Sequence, residues 1–216
     1  WRRFAAGTLP LAELAVLLSL SGGIHKWVLG RTVRSALRTS PSGGARHPID
    51  LYVLSLRVRG LPRGLYHYAS DRHQLERLRR AHPSGIQRYL PHQYWYEDAA
   101  ALVLFAASYD RTLWRYRYAR AYRAVLIEAG HLCQTFCLTA TWRGLAPFCS
   151  MALADSKVDG DLGLDGISES VLYVAGVGLA DGAPAESFVP GDDVPPRVVA
   201  NPAFAPSVRT SSRRTR

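Results

Sequence analysis

Between Leu9 and Leu20 the apolar residues Leu11, Leu14, Ala15, Leu17 and Leu18 recur at helical spacing, with Pro10 near the first turn. Ser21-Gly22-Gly23 ends that helix. The polar, arginine-rich stretch from Gly30 to Ser40 predicts a loop leading into a turn, Pro41-Ser42-Gly43-Gly44. β-Branched and aromatic residues predict a strand over 49–58. A hairpin turn over 60–64 returns it as Leu65-Tyr66-His67-Tyr68, and Asp71-Arg72-His73 turns again into a short strand near 74–78. The run 99–107 is apolar throughout, as in a strand buried on both faces. The longest predicted helix covers about 118–143, rich in Ala, Leu and Cys and closed by Gly144; so apolar a helix is buried centrally or against a second subunit. A last core strand is predicted over 171–177. Helices mixed with mainly antiparallel strands make an α+β domain over 1–178, followed by a proline- and charge-rich arm and basic tail over 179–216.

Composition narrows the class. The 216 residues, 48% hydrophobic with five Trp and eleven Tyr, suit one globular domain or one subunit of an intimate dimer. The formal charge is +10, and four of the charges, Arg209, Arg213, Arg214 and Arg216, sit in the Ser/Thr-rich end. No zinc-finger spacing, RNA-recognition signature or helix-turn-helix pattern accompanies that charge, so nucleic acid is not an expected partner. With neither a signal peptide nor a run near 20 apolar residues, the expectation is a cytoplasmic protein with no membrane association. The first residue is Trp, not Met, which reads as a fragment or a trimmed start. Cys133, Cys137 and Cys149 are odd in number and lack the spacing of a zinc site; reduced cysteines packed as small hydrophobes are expected.

The turn carries the chemistry. Two successive glycines let backbone approach a ligand closely and aim N–H groups at it, and the Ser42 hydroxyl adds a donor and acceptor beside them. The stretch Ser40-Pro41-Ser42-Gly43-Gly44-Ala45-Arg46-His47-Pro48, followed by Gly60-Leu61-Pro62-Arg63-Gly64-Leu65-Tyr66-His67-Tyr68, resembles the SagB-type dehydrogenases of the nitroreductase superfamily. Arg120-Ala121-Tyr122-Arg123, Glu128-Ala129-Gly130-His131 and Gln134 resemble that family's long helix, and Gly144-Leu145-Ala146-Pro147-Phe148 the flavin-contacting segment after it.

The resemblance implies an α+β, nitroreductase-like fold, with a mostly antiparallel sheet flanked by helices, in an intertwined homodimer holding FMN at the interface. It places Pro41, Ser42, Gly43 and Gly44 against FMN from the partner subunit, and Pro147, Phe148 and Cys149 along the flavin ring. Arg2, in Trp1-Arg2-Arg3-Phe4, falls on the family's second basic position for the FMN phosphate and ribityl chain. Cys149 is expected to pack on the ring, since no adjacent cysteine is seen to resolve a disulfide.

Family members that oxidise azolines usually carry a Lys-Tyr pair shortly before the Arg-Ala-Tyr-Arg run. Here the usual register lands on Tyr116 and Arg117, and one-residue slips on Arg117-Tyr118 or Arg115-Tyr116. No register gives lysine. Arginine, with a pKa above about 12, makes no practical base, whereas a tyrosine near 10 is ionised about once in 10³ at neutral pH. Tyr118 or Tyr116 is therefore the candidate base and Arg117 the charge stabiliser. Glu128 is expected to pair with His131 one turn on, His131 and Gln134 to lie in the core or an interface, and Asp50 to pair locally.

The implied reaction is oxidation of thiazoline or oxazoline rings in a modified peptide to thiazoles or oxazoles, with a cyclodehydratase as possible partner. Two alternatives stand beside it: an NAD(P)H-dependent nitroreductase or quinone reductase acting on a small molecule, and a non-catalytic flavin-binding scaffold subunit.

Overall fold

A computed structural model of the chain describes residues 3–30, 34–78, 88–93 and 98–182. In chain order its elements are β1 (Phe4–Ala5), β2 (Leu9–Pro10), α1 (Leu11–Gly22), β3 (Lys26–Leu29), β4 (Arg34–Leu37), β5 (Ile49–Ser55), β6 (Val58–Arg59), β7 (Gly64–Ala69), β8 (Gln74–Arg77), β9 (Ala101–Ser108), α2 (Tyr109–Leu113), α3 (Tyr122–Trp142), β10 (Leu145–Ser150), α4 (Asp155–Leu162) and β11 (Glu169–Ala180). Single 3-10 turns stand at Gly43–Ala45 and Ala119–Ala121.

The main sheet runs β1-β11-β9-β5-β7-β8, with β10 also paired to β11, and all its pairings are antiparallel. β9 lies between β11 and β5, which explains its unbroken apolar sequence. Alternation along the strands divides the core into two layers. Leu51, Val53, Val103, Phe105, Ala175 and Val177 face α1 and α3, joining Leu14, Leu17, Val125, Leu132 and Phe136. Leu54, Leu102, Leu104, Val174, Ala146 and Phe148 face the other way, with Val158 of α4 and Leu90.

Several expectations change. The stretch read as a loop contains β4, hydrogen-bonded to β3 from Lys26↔Leu37 to Leu29↔Arg34. The strand expected over 49–58 is broken at Leu56-Arg57, whose N–H groups both donate to the Ala100 carbonyl, and Val58–Arg59 pairs instead with β2 in parallel. The long helix begins at Tyr122, because the backbone of Tyr118 is extended and only a 3-10 turn follows it. β11 continues to Ala180. The arm and basic tail lie, from residue 183 on, outside the described residues. Among the described residues no helix is long and apolar enough to cross a membrane.

Candidate functional site

The Pro-Ser-Gly-Gly segment folds as a pinned turn. Ser42 is extended, the Ser42 carbonyl accepts from Ala45 N–H at 3.0 Å, and Gly44 takes the left-handed conformation at φ +63°. Ala45 and His47 follow with φ of +52° and +47°, conformations costing about 1–2 kcal/mol at a residue with a Cβ. Contacts from four elements hold that strain. The His47 N–H donates to Ser42 Oγ at 2.8 Å, leaving the serine's own proton to donate elsewhere. The His47 ring Nε2 lies 2.8 Å from the Ala36 carbonyl of β4; a carbonyl can only accept, so this nitrogen carries the proton. His47 Nδ1 stands 3.7 Å from buried Glu128 of α3. The His47 carbonyl accepts from Arg111 Nη1 at 3.1 Å, and Arg111 forks onto Asp50 of β5 at 2.9 and 2.6 Å. Burial alone pulls the Arg111 guanidinium's pKa down, but the Asp50 hydrogen bonds and charge outweigh it and the net shift is upward. The arginine therefore stays a permanent cation beneath the turn.

Two expected pairings are corrected here. Glu128 faces His47 rather than His131, which is exposed along with Gln134. Asp50 pairs not locally but with Arg111, 61 residues away.

Of the candidate catalytic residues, Tyr116 lies against this turn. After α2 the chain tightens, with Arg115 and Tyr116 N–H both donating to the Thr112 carbonyl. This brings the Tyr116 hydroxyl over Gly44: a Cβ built on that glycine would stand 2.8 Å from it. The ring of Tyr118 is 6.1 Å from that of Tyr116, half-exposed, with the Arg120 guanidinium 5.2 Å from its centroid. Arg115 lies 6.0 Å from the Tyr116 ring centroid, and Arg117 is exposed. Sequence reasoning missed Arg46 and Trp114. Arg46 Nε donates to the Gly44 carbonyl at 2.8 Å, its guanidinium sits 5.4 Å from the Trp114 ring centroid, and with Arg111 the pair lines an open cleft of about 270 Å³. A basic residue right after the glycine turn, and a Trp-Arg pair before the candidate tyrosines, were the signals available. Tyr52, which also adjoins the turn, is excluded as a base: burial, then the Asp50 and Glu169 charges, push its pKa up to about 12 against the opposing pull of Arg111.

The segment expected to contact the flavin ring is the strand β10, in register with β11 as Pro147↔Val177, Phe148↔Gly176 and Cys149↔Ala175. Phe148 points into the layer away from α3, its ring 5.9 Å from that of Phe4 and so close over Gly176 that a Cβ there would fall 2.0 Å from it. On the α3 side the strand presents Pro147 and Cys149. The expectation that no cysteine adjoins Cys149 is corrected: the sulfurs of Cys133, Cys137 and Cys149 all lie within 4.8 Å of one another. Position along the chain concealed this, because β10 folds back antiparallel beside the helix that precedes it. Turn and strand pack at different places along α3. Gly43 lies against Ala124 and Cys149 against Cys133, places about 13 Å apart along α3 at 1.5 Å per residue. Arg2 lies outside the described residues.

The nitroreductase family model matches residues 1–179. Among curated proteins, the nitroreductase-type protein MJ1384 of Methanocaldococcus jannaschii is 29% identical over 160 residues, covering 73% of this chain and 76% of its own. The trifolitoxin-processing protein TfxB of Rhizobium leguminosarum bv. trifolii is 30% identical over 155 residues, and the microcin B17-processing protein McbC of Escherichia coli 30% over 141. These alignments take in 69% and 61% of this chain but only 40% and 50% of TfxB and McbC, so the chain spans about half the length of those two relatives or less. Among solved structures, a nitroreductase-type protein from Anabaena variabilis superposes with a TM-score of 0.68 at 26% identity, over 77% of this chain and 34% of that one. The E. coli microcin synthetase McbBCD complex, with truncated pro-MccB17 bound, superposes with a TM-score of 0.64 over 83% of this chain and 68% of that one; at 23% identity it speaks for the fold alone. Sheet order, helix placement and these matches agree: the chain belongs to the nitroreductase family, whose members are typically FMN-dependent oxidoreductases.

Proposed function

We propose that the protein is an FMN-dependent, SagB-type peptide dehydrogenase that oxidises thiazoline or oxazoline rings to thiazoles or oxazoles. The observation that carries this reading is the likeness to two peptide-processing proteins, TfxB and McbC, in a chain whose Tyr116 lies against the glycine turn with Tyr118 beside it.

The residues suit FMN. The bare backbone at Gly44 makes room for the Tyr116 hydroxyl and so places that tyrosine on the turn. The Ser42 hydroxyl has a proton to donate, and the guanidinium groups of Arg46 and Arg111 supply positive charge beside the flat Trp114 ring. Pro41, Ser42, Gly43 and Gly44 of one copy, with Arg2 and with Pro147, Cys149 and the backbone of Phe148 of a second, would hold the cofactor in a homodimer. One feature favours that dimer: α3 exposes Tyr122, Leu126, Ile127, Leu138 and Trp142, largely apolar residues a monomer would leave in water.

When bound, FMN supplies the two-electron acceptor for the hydride that leaves the azoline Cβ. The chain's own task is the other half of the oxidation, loss of the Cα proton. Tyr118, open to an incoming substrate, takes that proton, while Arg120 above its ring and the neighbouring Arg117 offset the negative charge of the phenolate. Tyr116 packs on the turn and fixes Tyr118 from the side. The peptide leaves with one ring C=C more and two hydrogens fewer. Aromatisation drives the step, so positioning and charge stabilisation are what the protein must supply.

Tyr118→Phe should lower turnover of an azoline peptide about 10²- to 10⁴-fold with FMN content intact. Unchanged turnover would remove Tyr118 from the mechanism. The similarity to MJ1384 and the lack of lysine at the catalytic register keep a second reading, reduction of nitro or quinone substrates by NAD(P)H. Rapid bleaching of the flavin by NADPH with no oxidation of azoline peptide would decide for it.

A further inference from the structure

Cys133 and Cys137 stand one helical turn apart on the face of α3 that meets β10, and Cys149 points at them from that strand. Burial is graded across the group: Cys133 is enclosed, Cys137 half-covered and Cys149 exposed. Each offers one soft sulfur, and the three sulfurs converge to within 4.8 Å of one another. For small hydrophobes simply filling a core, nothing requires the exposed member to turn inward to the other two. Sulfurs bound to one tetrahedral zinc ion, at about 2.3 Å each, lie roughly 3.8 Å apart. Closing from 4.8 Å to that spacing asks about 1 Å of movement, within reach of side-chain rotation.

We propose that Cys133, Cys137 and Cys149 form a three-thiolate site for a thiophilic d10 cation, specifically Zn2+, joining α3 to β10. Three sulfurs are a soft donor set that selects zinc over hard cations such as Mg2+ or Ca2+. The exposed side at Cys149 leaves the fourth position to water. Binding forms three Zn–S bonds and breaks three S–H bonds, the protons pass to buffer, and no electrons move. Tyr173 donates its O–H to Cys149 Sγ at 3.2 Å, a contact that orients this sulfur and stabilises negative charge on it. The site needs none of the chemistry proposed above, although it shares Cys149 with the proposed flavin contact. Its structural consequence is to clamp the strand carrying Pro147 and Cys149 to the long helix.

The test is zinc content and thiol reactivity of the purified full-length chain, reduced and handled without oxygen. Native mass spectrometry should show one zinc per chain after exposure to equimolar Zn2+. Alkylation mapped by peptide should show all three cysteines protected by zinc and released by chelator. Losing an outer-shell partner typically weakens a metal 10–100-fold, so Cys149→Ser, at an exposed position, should weaken zinc by more than about 100-fold. Cys137→Ser, with folding checked by circular dichroism, should do the same. The proposal is overturned if the three thiols alkylate at the same rate with and without zinc, if Cys149→Ser binds zinc as tightly as the parent, or if the parent binds none.

Discussion

At Gly44 two constraints coincide: the backbone sits at φ +63°, and a Cβ would approach the Tyr116 hydroxyl to 2.8 Å. Gly44→Ala should therefore cost about 1–2 kcal/mol from the dihedral alone, plus displacement of the tyrosine, and should weaken FMN binding more than it weakens the fold. Tyr116→Phe removes the oxygen in the way, so the double variant should recover part of the loss; urea midpoints of the four proteins measure that coupling. At this scale the Pro-Ser-Gly-Gly turn was legible in sequence, because glycines and a serine announce bare backbone and a hydroxyl. The residues that pin it were not. Glu128 and Arg111 reach His47 and Asp50 from distant helices, and only the packing of α2 and α3 on the sheet brings them there.

Among the elements, β10 and β11 fit through one glycine. Phe148 is buried and its ring occupies the space of a Gly176 side chain, with ring carbons 2.0 and 2.2 Å from a built Cβ. Gly176→Ala should destabilise by about 3 kcal/mol or more, the upper range for overpacking, and Phe148→Leu should relieve part of it in thermal unfolding. The turn into β11 is acid-sensitive. The Asp165 carboxylate accepts from the Ser168 hydroxyl and from the backbone N–H groups of Ile167, Ser168 and Glu169, with Ser168 the largest influence holding it well below the usual carboxylate range. A lowered folded-state pKa means the contribution is complete above the unfolded value near 3.9 and is lost as pH falls through the folded one. The stability gap between the parent and Asp165→Asn should thus be full at pH 6 and shrink steadily below about pH 4; an equal gap at both ends contradicts this. Strands with a buried face were readable from sequence. The β3–β4 hairpin was not, because Lys26–Leu29 is exposed along its whole length and shows no alternation. α4 escaped as well, its polar sequence holding only Val158 and Asp159 inside.

For the whole molecule, the proposed function predicts two copies, and the apolar residues exposed on α3 support a second chain. Replacing Leu126 and Ile127 with aspartate should give monomers in sedimentation velocity and should abolish FMN retention together with dimerisation; monomers that still hold FMN would break the link between them. Fold class was legible because apolar runs and helical spacing identify an α+β sheet protein. The cysteine cluster was not, since its sulfurs come from a helix and the strand that doubles back beside it. The most direct test of the central claim is anaerobic: mix the FMN-loaded protein with one equivalent of azoline-containing peptide and follow flavin absorbance alongside peptide mass. The account predicts that the yellow band bleaches as the peptide loses two hydrogens, in equal amounts, and returns on admitting oxygen. A flavin that stays oxidised with azoline peptide yet bleaches with NADPH would contradict it.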